Sequence, residues 1–524
     1  MATGWTAGIG RRCITPTPPT PWLAGYGHRD TRATGKLHDI HVKALAIALG
    51  DTDRVLLITL DICHISRAVV DAVRACLPAD LRAPGALRMV ASHTHSGPCC
   101  ANQLGKPSPA VDFAPHANEI QSFSARLVDA CVNAARDALA GMVGVELRSG
   151  RGTTKFSMNR RNDTEVKVSA EEAAQMLAGN RPAIPWSVAE LTGPHDHTLD
   201  VLQLVRQEGK TNTESGSKRK RDDAGSIEGG PPRTLAVVFG YACHATTLDI
   251  NLVSNDWPGE AMIELETKSL PGCTAFFATG CGGDQNPGAR RHVDLCKLWG
   301  LRIAREVARV CRAAAGTMRV VAPASLAYAG TEIALPYARL PTAQELAAAA
   351  TGAANCPTLL PDGADPAALE KLNATTNASF LHLIAGARKQ WAALIQARLY
   401  PGGGGGDGSP APGNDAVPYE VSCWRFGPLR GGVTWFALAG EPTVEYALAL
   451  RAATPQGAVL ATGYCNGSPG YIPSERVLQE GGYEGGESML CPSKCCGTPS
   501  CCYNKITAQL MALNLTVAQY FTIP

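Results

Sequence analysis

The chain has 524 residues, 45% of them hydrophobic, which is enough for one large catalytic domain with insertions or for more than one domain. Its 48 Lys and Arg against 46 Asp and Glu leave a formal net charge of +2, which argues against a nucleic-acid-binding surface spread over the protein. No apolar stretch reaches the roughly 20 uninterrupted residues of a membrane-spanning helix; Leu235 to Val253 is broken by His244 and Asp249.

The first residues, Met1 to Ala7, have neither the charged region nor the apolar run of a secretory signal peptide, so the expected location is cytoplasmic. Helix-period segments at Arg67 to Leu77, Gln121 to Leu139 and Leu298 to Ala315 alternate with apolar strands. This predicts an α/β fold with central mixed β-sheets flanked by helices. Ala86 to Ala91 reads as a short buried strand running into Ser92-His93-Thr94-His95-Ser96-Gly97-Pro98. If that segment is extended, His93 and His95 project to the same side before Gly97-Pro98 turns the chain. Two imidazoles at a strand end suit a metal. A strand ending in two hydrogen-bonded polar residues is the plainer explanation of a bare His-x-His, so further ligands must come from elsewhere.

Three later stretches deliver a polar group in the same manner. Leu235 to Tyr241 leads to His244. Thr434 to Leu438 leads to Gly440-Glu441-Pro442, with Pro442 in the first turn of a helix over Glu445 to Arg451. Ala458 to Thr462 leads to Tyr464-Cys465-Asn466 and then Gly470-Tyr471. Loops at strand ends in α/β proteins converge over one rim of the sheet, where sites are built. Each stretch taken singly is also an ordinary strand-to-loop transition.

Two segments read as insertions. The polar stretch 207–232 carries Lys218-Arg219-Lys220-Arg221 and Asp222-Asp223, and its composition suits a disordered surface loop; a nuclear-localisation role is the other reading of the basic tetrad. The stretch 401–416 contains the five glycines Gly402 to Gly406 and reads as a flexible linker after the Ala-rich helical stretch Pro341 to Arg398. Most of the 19 cysteines sit singly in apolar runs, as small buried hydrophobes; Cys63, Cys131, Cys243, Cys273 and Cys311 are examples. Cys491, Cys495, Cys496, Cys501 and Cys502 instead crowd together, as a zinc site of their own, a disulfide set or a reactive loop. This divides the chain into a main domain, 1–490, and a Cys-rich segment, 491–524, that closes on a helix or strand.

Ala7-Gly8-Ile9-Gly10, Ile14-Thr15-Pro16, Gly25-Tyr26, Leu37-His38-Asp39, the His93 cluster, Asn159-Arg160, His244, Gly283-Asp284-Gln285-Asn286-Pro287, Gly440-Glu441-Pro442-Thr443 and Asn466 to Glu484 together resemble the neutral (alkaline, non-lysosomal) ceramidase family of zinc-dependent amidases. The resemblance covers most of the chain. It implies a zinc cofactor at the strand ends, held by His93, His244, Glu441 and Tyr471. It also implies His95, Arg160 and Tyr483 as catalytic partners for substrate and oxyanion. Of the adjacent arginines the family's Asn-Arg pair selects Arg160, leaving Arg161 a surface or structural role. The chemistry is coherent: zinc accepts imidazole, carboxylate and phenolate, and an open position lowers the pKa of a bound water toward neutrality for attack on an amide carbonyl. Arg160, His95 and Tyr483 would stabilise the oxyanion or orient the acyl group.

Two departures bear on mechanism. Where the family has a serine this chain has Asn286, which hydrogen-bonds but cannot accept an acyl group; the implied chemistry is therefore attack by zinc-bound water without an acyl-enzyme. A counterpart of the family's immunoglobulin-like C-terminal domain is not expected after the Tyr483 region. The expected function is zinc-dependent hydrolysis of an N-acyl amide in a small-molecule or lipid-like substrate, ceramidase-like and of the kind used in sphingolipid metabolism. A zinc hydrolase of a non-sphingolipid substrate and a non-catalytic metal-binding relative, favoured by Asn286, are the alternatives. No nucleic-acid partner and no transmembrane segment are expected, and the oligomeric state stays open.

Overall fold

The computed structural model describes residues 4–18, 20–50, 53–100, 114–182, 190–207, 233–312, 318–336, 346–347, 416–485 and 488. The expected insertion 207–232, the linker 401–416 and the Cys-rich segment 491–524 lie outside them, apart from residues 207 and 416. So does the expected helical stretch 341–398, apart from 346–347.

Apolar runs without polar alternation require strands covered on both faces, and Thr234–Tyr241 and Thr274–Thr279 of the largest sheet are of this kind, whereas Trp5–Cys13 and Val143–Thr153 alternate and are partly exposed. The sheet has nine strands in the order Thr274–Thr279, Thr234–Tyr241, Thr198–Arg206, Val143–Thr153, Trp5–Cys13, His41–Leu49, Asp53–Leu60 and Leu87–Ala91, with Met318–Val320 beside Val143–Thr153. The two outermost pairs are parallel and the pairings between them antiparallel. A parallel pair needs a crossover. The helices Arg67–Ala75 and Asp256–Glu264 provide one at each edge.

One face of this sheet is covered by helices. Val42, Ile58 and Met89 pack with Leu127 and Ala134 of the helix Ala117–Ala140. At the other end, Phe239 and Phe277 pack with Trp257, Trp299 and Ile303 of Asp256–Glu264 and Val293–Arg312. Gly8 and Gly10 let the long helix lie directly on the strand: a Cβ on Gly10 would stand 1.9 Å from the Ala134 carbonyl oxygen. The opposite face packs Leu57, Val90, Leu202 and Phe276 against Trp424, Phe426, Trp435 and Leu460. Those belong to a second sheet, ordered Leu326–Pro336, Ala416–Phe426, Val433–Leu438, Ala458–Thr462. The expected α/β architecture of mixed sheets flanked by helices is the observed one. Among the described residues no helix is long and apolar enough to cross a membrane.

The large sheet curls until its two edges meet. Thr279 Oγ1 donates to the Ala91 carbonyl at 2.8 Å. Residues 462–466 stitch the seam: Gly463 N–H donates to Thr279 O at 2.9 Å, Ala91 N–H to Tyr464 O at 3.3 Å, and Asn466 N–H to Met89 O at 3.0 Å. The Asn466 side chain accepts from Met89 N–H and donates to Leu87 O, both at 2.8 Å. Closure of that seam brings the C-terminal ends of Leu87–Ala91, Thr234–Tyr241 and Val433–Leu438 to one place.

Candidate metal centre

His93 follows its strand by two residues and has φ +62°. The segment is therefore not extended, and the expected strand alternation is not what aims His93 and His95. Such a conformation costs a non-glycine residue about 1–3 kcal/mol and persists only where its surroundings fix it. Here Ser92 Oγ donates to Asn255 Oδ1 at 2.5 Å, Thr94 Oγ1 to Ser254 O at 2.9 Å, and His93 N–H to Ile62 O at 3.1 Å.

The loop turns His93 Nδ1 to the Cys63 carbonyl at 3.0 Å. A carbonyl only accepts, so Nδ1 carries the proton and Nε2 presents its lone pair. That Nε2 stands 3.2 Å from His95 Nε2 and 3.3 Å from Glu441 Oε2. His244 is set in the same way. Its Nδ1 faces Gly282 O at 2.6 Å and its Nε2 lies 3.6 Å from Glu441 Oε2. Glu441, fully buried, opens a two-residue strand whose parallel register partner is Tyr471. Burial holds His93, His95 and His244 below the usual imidazole pKa, against the pull of Glu441. Burial thus favours the neutral form, the state in which imidazole binds a metal. His95 lies under Tyr26, ring centroids 4.7 Å apart, and against Gly25, where a Cβ would come within 2.3 Å of its ring.

A second arm reaches this cluster through Arg160. Its Nε donates to Glu484 Oε1 at 2.6 Å and Nη2 to the Tyr471 hydroxyl at 3.0 Å. Its Nη1 faces His244 Nε2 at 3.3 Å and Asn286 Oδ1 at 3.5 Å. Burial works against the Arg160 charge, but Tyr471 and Glu484 outweigh it and push the pKa up. Tyr483 packs its ring 5.3 Å from that of Tyr471 and 5.6 Å from the Arg160 guanidinium. Arg161 is buried rather than on the surface, bonded to Glu484 at 2.8 Å and Glu480 at 3.1 Å.

The structure thus gathers His93, His95, His244 and Glu441 directly, and ties Tyr471, Tyr483 and Asn286 to them through Arg160. Three neighbours were missed in the sequence. Cys63 and His64 form a second grouping of ligand-type side chains with His93, and Tyr464 places its ring 4.6 Å from that of His93. A signal existed for the first two, because Val55 to Leu60 is another apolar run that ends on polar residues, Asp61 and His64.

The residues fit a metal. Donor atoms of His93, His95 and His244 lie within 4.8 Å of one another. The His93 and His244 Nε2 atoms stand beside one carboxylate oxygen at 3.3 and 3.6 Å, with His95 Nε2 and Arg160 Nη1 as the nearby donors, so a cation taken up between them would draw on all three acceptors. Nitrogen and carboxylate donors with carbonyl-anchored Nδ1–H groups are the set zinc takes.

Neither a scan against protein-family models nor a search of curated proteins finds a match. Among solved structures the chain is similar to neutral ceramidase from Pseudomonas aeruginosa, with a TM-score of 0.58 and 17% identity, covering 98% of this chain and 75% of that one. A ceramidase complexed with C2 matches with a TM-score of 0.58 and 18% identity over the same shares. The class is an α/β protein with a buried histidine–carboxylate cluster at its strand ends. Its particular architecture is the neutral ceramidase fold.

Proposed function

We propose that the protein is a zinc-dependent hydrolase of an amide (N-acyl) bond. The observation that carries this reading is the convergence of the neutral His93 and His244 Nε2 atoms on Glu441 Oε2 at 3.3 and 3.6 Å in a fully buried position. These three would hold the metal, with Tyr471, the register partner of Glu441, as the fourth ligand. Bound there, zinc supplies a Lewis acid for a carbonyl oxygen and lowers the pKa of a coordinated water toward neutrality.

The remaining work falls to the protein's own groups. Two of the Arg160 nitrogens are committed to Glu484 and Tyr471. The third, Nη1, faces the centre and is placed to stabilise negative charge developing on an acyl oxygen. His95 Nε2 lies 3.2 Å from His93 Nε2; with the His93 lone pair given to the metal, a proton on His95 Nε2 would be freed to act as a second donor into the same space. Tyr483, packed on both Arg160 and Tyr471, keeps the guanidinium in place and offers a phenol to the acyl group. Asn286 presents its amide oxygen to Arg160 and has no nucleophilic atom, so no acyl-enzyme forms.

Metal analysis of the purified protein, with assays on ceramides, short N-acyl amino acids and simple esters, tests the reading. Bound zinc with hydrolysis and no kinetic burst is expected. Absence of metal overturns it. Bound zinc without turnover on any acyl compound would instead favour the non-catalytic reading that Asn286 motivates, and turnover confined to non-ceramide compounds would favour a non-sphingolipid substrate.

A further inference from the structure

Glu441 is approached from both of its oxygens. Oε2 faces His93 and His244, whereas Oε1 faces Nε2 of His64 at 3.6 Å. The His64 side chain is only 5% exposed and its ring centroid lies 4.8 Å from that of His93. On its far side, His64 Nδ1 stands 2.9 Å from Ser468 Oγ. A proton on His64 Nε2 is the tautomer whose positive edge faces the carboxylate, with Nδ1 then accepting from the Ser468 hydroxyl at 2.9 Å. Ser468 comes from the same segment as Asn466, whose bonds to Met89 and Leu87 close the sheet. Beyond His64 lies a cavity of about 190 Å³, lined also by Ser66, Arg67, Glu420 and Ser468. His64 therefore stands as the wall between that cavity and the buried carboxylate.

We propose that His64 is a positioning residue: anchored by Ser468, it fixes the Glu441 carboxylate so that Oε2 stays with His93 and His244, and so sets the metal affinity of the centre. This rests on the metal-site reading above. Groups that orient a ligand without touching the metal are worth roughly 10–100-fold in affinity. A residue that merely filled space would change the melting temperature and leave affinity alone.

Chelator competition for zinc, paired with the visible spectrum of the cobalt-substituted protein, decides it. His64→Ala should bind zinc roughly 10–100-fold more weakly with the cobalt band pattern retained. His64→Gln, which carries an amide N–H to about the position of Nε2, should recover most of the loss. Ser468→Ala, at the edge of the cavity, should weaken binding in the same direction by less, and provides the test if His64→Ala does not fold. Wild-type affinity in folded His64→Ala, or in Ser468→Ala if that is the variant that folds, overturns the inference. A loss as large as that of His244→Ala with an altered cobalt spectrum also overturns it, since His64 would then be a ligand itself. Wild-type protein that binds no zinc overturns the metal reading together with this one, whereas tight wild-type binding with unchanged variants overturns this one alone.

Discussion

Two buried polar clusters sit on the large sheet and are built on opposite principles. At Lys43, on the strand His41–Leu49, each charge is closed by a partner: Nζ donates to Glu266 Oε1 at 2.6 Å and Ala275 O at 2.8 Å, while Glu266 also accepts from Ala275 N–H at 3.0 Å. Burial opposes the Glu266 charge, yet Lys43 outweighs it and holds the carboxyl below the usual range. At the His93 cluster the lone pairs of two neutral imidazoles are turned on a buried carboxylate oxygen. The first cluster is closed by its own counter-charges; in the second the donors facing those lone pairs are His95 Nε2 at 3.2 Å and Arg160 Nη1 at 3.3 Å, and the gathered donor set also suits a cation. Completed pairing marks a structural cluster. Ligand-type side chains gathered around a buried carboxylate mark a candidate functional one.

The contrast is broken most completely by removing the imidazoles. His93→Ala with His244→Ala should reduce bound zinc from about one per chain to background and abolish hydrolysis, as read by elemental analysis and product release; the analysis should be repeated on protein truncated before Cys491 so that zinc held by the tail cannot mask the loss. Full metal retention would show that the cluster is structural after all.

Breaking the paired cluster should do the reverse, harming the fold and sparing the metal. Lys43→Met removes the buried partner of Glu266 Oε1 and leaves that carboxylate to Arg11, 3.0 Å from Oε2, and to Ala275 N–H, so it should cost about 1.5–3 kcal/mol in denaturant unfolding. Lys43→Met with Glu266→Leu should regain most of that stability, because replacing both partners of a buried pair is often neutral. Zinc content of the folded fraction should be unchanged in both.

Arg160 sharpens the comparison, since it belongs to a paired network on one side and faces the centre on the other. Arg160→Ala should lower kcat by roughly a hundredfold or more while zinc stays bound, as loss of an oxyanion donor does. Tyr483→Phe and His95→Ala should fall in the same direction. Unchanged kcat in folded, zinc-loaded variants would remove these residues from the chemistry.

The smallest effect concerns Asp61, which accepts from His41 N–H and Asn255 Nδ2 at 2.8 and 2.7 Å and lies near Lys43. Burial raises its pKa to about 6 from an ordinary 3.8, outweighing the attraction of Lys43. The folded state holds this proton more tightly than the unfolded chain. Its contribution is therefore most favourable below pH 3.8 and is lost as pH rises to about 6. Asp61→Asn should gain on wild type over that window, measured as the difference in unfolding free energy against pH. A constant difference would show that Asp61 ionises normally.

Much of the site was legible in the sequence because its carriers obey a local rule. Apolar runs at Leu87–Ala91, Thr234–Tyr241 and Val433–Leu438 report their own burial, and the polar residue that ends each run, His93, His244 or Glu441, must lie near the rim. Family resemblance then separated Arg160 from Arg161, which composition alone could not do. Helix ends were read less well: Ala117–Ala140 begins four residues before the expected Gln121, since capping depends on contacts that periodicity does not record.

What the sequence determined by itself was the fold class, the strands and the chemical type of each donor, because burial pattern and side-chain chemistry are properties of short segments. The meeting of those donors was decided only in three dimensions. The two edges of the sheet are joined through backbone atoms of Gly463, Tyr464 and Asn466, the Asn466 side-chain amide and the Thr279 hydroxyl, and bonds made to backbone atoms do not identify their partners at such distances along the chain. His93 is held in its left-handed conformation by bonds of its loop to Ile62, Ser254 and Asn255, and Ser468 meets His64, which in turn faces the second oxygen of Glu441. A side chain's partners follow from the register of strands far apart in sequence, and that register is fixed by the packing of the whole core rather than by any one segment.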